Sequence, residues 1–393
     1  MTAASFPLSA SVSTNGTASE SFRSKLIEFL LVGGGTLVLL PLAWLLRRAV
    51  GLDDAELAAG FVTFYAAYVV NDPHFAVTYL LFYRGAKQRA FDVERPLSQR
   101  VRYLVSGFFL PISLVAWGAF ALASHSAETL GWMIQLMYLT VGWHYVKQGF
   151  GVLSVLSMRR GVRVTPLERR AILFHCYAGW AFAWANPSIP AGEYEEKGVV
   201  YHALAHPRSL ELATGAALAI SSVLLLAVLV LERKRAGRWL PLAPLTGLLV
   251  TVWLWTIFSS IDPVLRYFIP ALHSIQYFYF VGLMRRNEAR AHEGAPTFGK
   301  PAAVRLGFLA VSALMLGWFL FRGLPTALDD FLVVKPKRGQ LADALGETPY
   351  FAVFFVVVSI HHYFMDSVIW RRDNPDTKYF RDVSPEGELR AGV

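Results

Sequence analysis

Six histidines of this chain lie inside strongly apolar stretches, where an imidazole ring is unfavourable without a partner. Several buried imidazoles without thiolates are typical of sites that hold Fe, Zn, Cu or Ni. The single cysteine, Cys176, excludes an intrachain disulfide and a cysteine-based metal site. The six histidines are His74, His144, His175, His273, His361 and His362.

Four of the deep histidines have polar residues one helical turn away, on the same helical face. A ligand imidazole needs such a neighbour, because an acceptor must hold its second ring nitrogen to fix the tautomer. An ordinary buried histidine has the same need, so the pattern leaves both roles open. The sets are His74 with Asn71 and Thr78, His144 with Lys147 and Gln148, His273 with Gln276 and Tyr277, and His362 with Asp366.

His361 and His362 are adjacent in the stretch IHHYFMD. Neighbouring residues on a helix point about 100° apart, so we expect one of the two to bind a metal ion. The other would orient a substrate or pair with Asp366. Acidic residues near the apolar stretches are few, namely Asp72, Asp262 and Asp366. A single-ion site of histidines alone, or of histidines with one carboxylate, is therefore favoured over a carboxylate-rich di-iron site.

The chain that must position these residues is more apolar than a typical soluble protein. Of its 393 residues, 55% are hydrophobic and 17% are charged. Apolar runs of about 20 residues, each closed by charges, recur along the chain and predict transmembrane helices. We therefore predict an all-α polytopic integral membrane helical bundle with about ten spans. They lie near residues 26–46, 61–83, 103–124, 132–158, 171–186, 212–231, 245–260, 262–284, 302–321 and 349–370.

Basic residues are concentrated in alternate loops. Residues 84–102 carry six Lys or Arg and residues 159–170 carry five, whereas 125–131 carry none and 187–211 carry more acids than bases. By the positive-inside rule, the basic loops and both termini are cytoplasmic. The net charge of +9 is therefore explained by topology, and no nucleic-acid partner is expected.

Composition divides the chain into one large region and two tails. Residues 1–24 are rich in Ser, Thr and Ala and predict a disordered cytoplasmic tail. Residues 25–372 are predicted to form a single transmembrane helical domain, and residues 373–393 a cytoplasmic tail. The expected location is the cell membrane, as a multi-pass protein of the bacterial inner membrane.

The topology places four histidines at a common depth. The second, fourth, eighth and tenth spans all run from outside to inside. At about 1.5 Å per residue, four histidines that lie about 11–13 residues into these spans reach nearly one level. His175 lies only a few residues from the cytoplasmic surface. The imidazoles expected to converge are those of His74, His144, His273 and His361.

Aromatic residues make up 14% of the chain, and many stand beside the histidines. Interfacial aromatic belts lie at the membrane surface, whereas these residues lie near mid-membrane. An apolar, aromatic-lined cavity with a few polar groups would suit a long hydrophobic substrate. Examples are Trp143, Tyr145, Tyr277, Phe278 and Tyr363.

Short motifs resemble the bacterial Brp/Blh membrane family. They are Pro73-His74 early in the chain, His144 on a middle helix, and Leu272-His273-Ser274 on a late helix. Members of that family are iron-dependent dioxygenases that cleave β-carotene to retinal, with histidine ligands on separate helices. The resemblance implies the same role for these three histidines. One turn after the last motif, where the family has a histidine, this chain has Tyr277.

These patterns predict an integral-membrane, histidine-ligated non-haem iron oxygenase. Its expected substrate is a hydrophobic lipid or an isoprenoid such as a carotenoid. Fe(II) is the expected metal, with Zn or Cu as alternatives, and the bilayer and a hydrophobic small molecule are the expected partners. A proton-coupled transporter or channel and a scaffold whose histidines only pack helices are the alternatives. The expected ligands are His74, His144, His273 and one of His361 and His362, with Tyr277, Asp366 and Gln148 acting beside the metal.

Overall fold

A computed structural model describes residues 22–162, 164–185, 191–196, 199–203, 205–260, 263–293, 299–334 and 340–380. Over these ranges the chain is almost entirely helical, as the sequence predicts. Residues 1–21 and 381–393 of the predicted tails, and Asp262, lie outside the described residues. The division into one domain and two tails stays a prediction.

Thirteen α-helices form the described part of the fold when helices joined through π-helical turns are taken together. The first six are α1 (Phe22–Val50), α2 (Leu52–Ala67), α3 (Asn71–Tyr83), α4 (Ala86–Phe91), α5 (Leu97–Ala123) and α6 (Ala127–Arg159). The others are α7 (Pro166–Ala185), α8 (Arg208–Ala236), α9 (Leu242–Ile257), α10 (Pro263–Ala291), α11 (Ala302–Val334), α12 (Gln340–Leu345) and α13 (Pro349–Ile369).

A two-stranded hairpin interrupts the helices between α7 and α8. Strand β1 (Gly192–Glu196) pairs antiparallel with β2 (Val199–Ala203), in a register that sets Tyr194 opposite Tyr201. The hairpin lies in the predicted loop 187–211, where the sequence analysis expects no strand. Strand β2 packs on α6, where Gly131 leaves room for the backbone of His202.

Where the structure describes them, the ten predicted spans fall in helices, with two differences. The second is broken by a turn at residues 68–70, so that α3 begins only three residues before His74. The ninth continues to Val334, well past its predicted end at residue 321. Arg322 lies inside this helix and pairs with Asp72 of α3.

Five helices among the described residues are long and apolar enough to cross a membrane, judged by length and composition. The helices that carry His74, His144 and His273 are not among the five. Helix α3 has only 13 residues, while α6 and α10 carry the polar residues of the site. The five are α1, α5, α8, α11 and α13.

Helix α13 is the central helix of the bundle. Its most apolar window is 67% buried inside the protein, whereas the windows of the other four candidate spans are 17–22% buried. It packs against α3, α5, α6 and α11, and α10 in turn packs against α3. The four helices that carry the deep histidines therefore meet at the centre, and the apolar side chains of the surrounding helices face outwards.

The segment after α13 folds back over one end of the bundle; we call residues 371–380 the C-terminal strap. It contains a short 3-10 helix, Pro375–Phe380, that packs on α10. Arg159 donates to the Phe380 carbonyl at 2.8 Å, and Asn287 donates to the Tyr379 carbonyl at 2.9 Å. The first part of the predicted tail 373–393 is thus tied to helices α6 and α10.

Helices α3 and α11 approach closely at Gly317. A Cβ atom at this position would lie 2.6 Å from the carbonyl carbon of Asp72 and 2.9 Å from the nitrogen of Pro73. Backbone atoms cannot rotate away from such a contact, so any side chain here would push α3 and its His74 outwards. Gly307, on the same helix, has open space around it.

We expect Gly317→Ala to lower the free energy of unfolding by about 1–3 kcal/mol, because it overpacks a close helix contact. Gly307→Ala should instead raise it by roughly 0.5–1 kcal/mol, since alanine stabilises a helix relative to glycine. Thermal unfolding of both variants in detergent, followed by circular dichroism, measures the difference. Shifts of equal sign and size would contradict the close approach of α3 and α11.

Candidate metal centre

Helix α3 presents His74 within its first turns. Pro73 has no N–H to offer, but the first turn of a helix needs none, so proline is tolerated there. Asp72 beside it is buried and lies 3.4 Å from the Nε of Arg322. The side chain of Asn71 accepts a 3.3 Å hydrogen bond from Ser274, which follows His273 on α10. These contacts fix the start of α3 against α10 and α11.

Four imidazoles from four different helices converge at the centre of the bundle. One ring nitrogen of each lies within 4.8 Å of one ring nitrogen of every other. All four rings are at least 96% buried. We call His74 (α3), His144 (α6), His273 (α10) and His362 (α13) the histidine cluster. The imidazoles of His74, His144 and His273 converge as their common depth predicts, while the role of the four rings as metal ligands stays a prediction.

One pair of nitrogens in the histidine cluster has the spacing of two ligands on one ion. Two nitrogens bound at about 2.1 Å, with an angle of about 90–109° between the bonds, are roughly 3.0–3.4 Å apart. The Nε2 atoms of His144 and His273 are 3.1 Å apart. Nδ1 of His273 and both ring nitrogens of His362 are buried without a hydrogen-bond partner in the described structure. The buried group could therefore hold a metal ion.

His361 lies outside the histidine cluster, although the depth argument counts it as the fourth ligand. Its Nε2 donates to the carbonyl of Ser106 at 2.9 Å, and Nδ1 accepts from the hydroxyl of Tyr79 at 2.9 Å. Since a carbonyl can only accept, these bonds fix the tautomer of a neutral ring and occupy both nitrogens. The roughly 100° between adjacent helical residues sends His362 into the cluster and His361 towards α5.

A second layer of polar residues lies one turn beyond the histidine cluster. Each member is four residues after a cluster histidine. The hydroxyl groups of Thr78 and Tyr277 are 2.7 Å apart, and Thr78 donates to Asp366 at 3.0 Å. Contact between residues at the same offset requires α3, α10 and α13 to run in the same direction. We call Thr78, Gln148, Tyr277 and Asp366 the polar layer.

The polar layer does not hold the imidazoles in the way that the sequence suggests. Gln148, expected to partner His144, instead donates to the backbone carbonyl of His273 at 3.2 Å and to the side chain of Gln276 at 2.7 Å. Thr78 bonds with Tyr277 and not with His74. The expectation that each polar neighbour bonds its own histidine is therefore wrong for these two residues: they tie helices to one another.

The glycines at residues 33–35 follow a backbone carbonyl that belongs to this network, that of Val32. Residues Leu30–Gly34 of α1 form a π-helical turn in which Gly33 has a φ of 144°, a value that suits glycine. The turn presents the carbonyl of Val32, which accepts a 2.5 Å hydrogen bond from Gln276. Because Gln276 also accepts from Gln148, the turn anchors both α6 and α10 beside the histidine cluster.

Aromatic rings enclose the histidine cluster. Tyr363 stacks on His144 with ring centres 4.8 Å apart, and Phe75 lies 4.5 Å from His362. The ring centre of Tyr277 is 4.6 Å from that of His74. Sequence reasoning noticed Tyr277 and Tyr363 but missed Phe75, although its position directly after His74 was a usable signal.

Two further polar groups lie outside the histidine cluster: Arg322, which the sequence did not predict there, and His175, which it did. Arg322 was not expected near the site; its guanidinium lies over the rings of Phe64 and Tyr68, at 4.5 and 4.4 Å, beside its ion pair with Asp72. Asp72 has no basic residue near it in its own helix. A buried carboxylate needs a positive partner, and this requirement could have predicted a basic residue from another helix. His175 lies apart, with Nδ1 3.2 Å from the hydroxyl of Ser221.

The two adjacent histidines provide a test of the metal centre. We expect His362→Ala to weaken Co(II) binding to purified protein by more than about 100-fold, because the loss of a ligand exceeds that of an outer-shell partner. His361→Ala should retain the ion and instead lower the unfolding temperature, since it leaves the Ser106 carbonyl unpaired. Competition with a chelator measures the affinity, and equal losses in both variants would contradict this assignment.

Comparison with known proteins adds no assignment to this geometry: no protein-family model, no curated protein and no solved structure matches the chain.

Proposed function

We propose that the protein is an integral-membrane, histidine-ligated non-haem iron oxygenase that acts on a hydrophobic lipid or isoprenoid. The observation that carries the proposal is the convergence of four buried imidazoles from four helices on one point. Helix packing alone does not require ring nitrogens from four helices to face one another, whereas a shared cation does.

The donor set favours a catalytic transition metal. Imidazole without thiolate suits iron, copper, zinc and nickel, and the nearby carboxylate of Asp366 extends the likeness to histidine–carboxylate iron sites with open positions. His74, His144, His273 and His362 would hold the ion. Ferrous iron would supply the one-electron chemistry that lets dioxygen react with carbon–carbon double bonds.

The surroundings of the histidine cluster support a hydrophobic substrate. Phe75, Tyr145 and Tyr363 present ring faces and edges to the imidazoles. An apolar, aromatic environment favours a substrate that partitions into the bilayer over a water-soluble one. Tyr277 and Asp366 are the polar groups that would orient it or move protons at the edge of the site.

A carotenoid is the substrate that the Brp/Blh resemblance suggests. In this chain Tyr277 stands where that family has a histidine one turn after Leu272-His273-Ser274. His362 of α13 brings a fourth imidazole to the same centre. The proposal is therefore that the ligand set of such an enzyme is completed here by a residue from a different helix.

The iron assignment has a direct test. Protein purified in detergent should contain about one iron per chain, and His144→Ala and His273→Ala should empty the site. Bacterial cells that accumulate β-carotene should lose its colour and gain retinal when the wild-type protein is expressed, with ¹⁸O from ¹⁸O₂ in the product. His175→Ala is the matched control, because it removes a buried histidine outside the cluster.

Proton-coupled transport is the alternative that this test separates. A transporter would show no stoichiometric metal, and its His144→Ala and His273→Ala variants would change transport without changing metal content. Iron-loaded protein that leaves β-carotene intact would contradict a carotenoid substrate but not the iron centre. Full metal occupancy in both histidine variants would contradict the metal centre itself.

We also propose that the bundle crosses the cell membrane about ten times, with both termini in the cytoplasm. The alternation of basic and acidic loops supports this topology. Candidate span α5 lies between Glu94 and Glu128, both exposed. The one cysteine, Cys176, is buried, so cysteines introduced elsewhere can be labelled selectively.

A membrane-impermeant maleimide applied to intact cells should label Glu128→Cys and leave Glu94→Cys unlabelled. After the membrane is permeabilised, Glu94→Cys should react as well, because the basic loop 84–102 is predicted to be cytoplasmic. Wild-type protein serves as the control for Cys176. The reverse pattern of labelling would invert the topology, and equal labelling in intact cells would argue against α5 as a span.

A further inference from the structure

Asp366 is a buried carboxylate whose two oxygens have different surroundings. It lies on α13 one turn after His362 and is 3% exposed. Oδ1 accepts hydrogen bonds from Thr78 at 3.0 Å and from Tyr277 at 3.5 Å. The indole N–H of Trp370 also lies within hydrogen-bonding reach of this carboxylate. In the described structure Oδ2 has no partner in good hydrogen-bond geometry.

The unpartnered oxygen faces the histidine cluster. Oδ2 lies 3.5 Å from Nε2 of His362 and 3.8 Å from Nε2 of His144. Donor atoms that share one ion at about 2.1 Å stand roughly 3.0–4.2 Å apart, depending on the angle between their bonds. The Asp366 oxygen therefore lies at ligand-sharing distance from two of the four histidines, at the edge of the cluster nearest the polar layer.

The charge of the site points the same way. A carboxylate buried in an apolar bundle is costly unless a cation compensates it. Lys147 acts on Asp366 electrostatically, but it forms no ion pair with it within 4.0 Å in the described structure and directs its ammonium group over the ring of Trp143, 4.4 Å from the ring centre; Arg322 pairs with Asp72. In the part of the chain that the structure describes, the groups within 4.0 Å that could pair with Asp366 are His144 and His362.

We propose that Asp366 binds the metal directly through Oδ2, so that the centre is one of four histidines and one carboxylate. Thr78 and Tyr277 hold the other oxygen and so aim the ligand, as outer-shell partners do in metal sites. The carboxylate would reduce the charge of a divalent ion held by four neutral rings from +2 to +1. An oxygen donor also shifts the preference of the site away from Cu(I) and towards Fe(II).

This inference rests on the proposed metal centre and deepens it. Asp366→Asn keeps the shape of the side chain and removes its charge. We expect this variant to bind Co(II) more than about 100-fold more weakly, beyond the loss typical of an outer-shell partner. We also expect its Co(II) visible absorption to change, because the coordination of the ion changes. Thr78→Val should weaken binding less and leave the absorption nearly as in the wild type.

Asp329→Asn is the matched control for the loss of a buried carboxylate. Asp329 accepts 2.9 Å hydrogen bonds from the backbone of Tyr350 and Phe351 at the start of α13, away from the histidine cluster. This variant should lose stability and keep the wild-type Co(II) spectrum. A spectrum and affinity unchanged in Asp366→Asn would overturn the inference while leaving the four-histidine centre in place.

A measurement on wild-type protein avoids the risk that Asp366→Asn fails to fold. In protein labelled with ¹³C-aspartate, metal binding should shift a carboxylate stretching band in the infrared difference spectrum. Metal binding without any such shift would overturn direct ligation by Asp366. A wild-type protein that binds neither Co(II) nor iron would instead overturn the proposed function, and the inference with it.

Discussion

Polar atoms buried without partners are the constraint on which this structure depends. Each unpaired nitrogen or oxygen in an apolar interior costs about 1–3 kcal/mol, and a carboxylate costs more. The described structure leaves Nδ1 of His273, both nitrogens of His362 and Oδ2 of Asp366 in this condition, on residues that meet in the histidine cluster or border it. A single cation held by one nitrogen of each cluster histidine would compensate part of this cost, and so groups that would destabilise the bundle would become a binding site.

The geometry of the centre follows from helices that run in the same direction. A step of four residues moves about 6 Å along a helix axis, so a polar residue four positions after each histidine reaches the next level down. Thr78, Tyr277 and Asp366 meet there and bind one another. The repeated spacing of four residues therefore produces two stacked layers. One consists of imidazoles and the other of hydroxyl and acid groups.

The central helix and the surrounding helices differ in what they contact. The surrounding candidate spans expose apolar side chains, which suits contact with lipid, whereas α13 is largely enclosed. Close contacts at the centre depend on residues without side chains, since Gly317 admits the backbone of α3 and Gly33 opens a π-helical turn to Gln276. The C-terminal strap then closes one end, with Trp370 between Tyr277 and Phe380.

The sequence by itself determined that the described chain is helical and where most of its long apolar helices lie, because long apolar runs have few other stable structures. It also predicted that His74, His144 and His273 would meet, since a rise of 1.5 Å per residue converts position in a span to depth. Tertiary structure alone decided between His361 and His362, and it sent Gln148 to Gln276 and Arg322 to Asp72. These choices depend on the rotation of each helix about its axis, which is set by packing against neighbours distant in the chain and leaves no signal in local spacing.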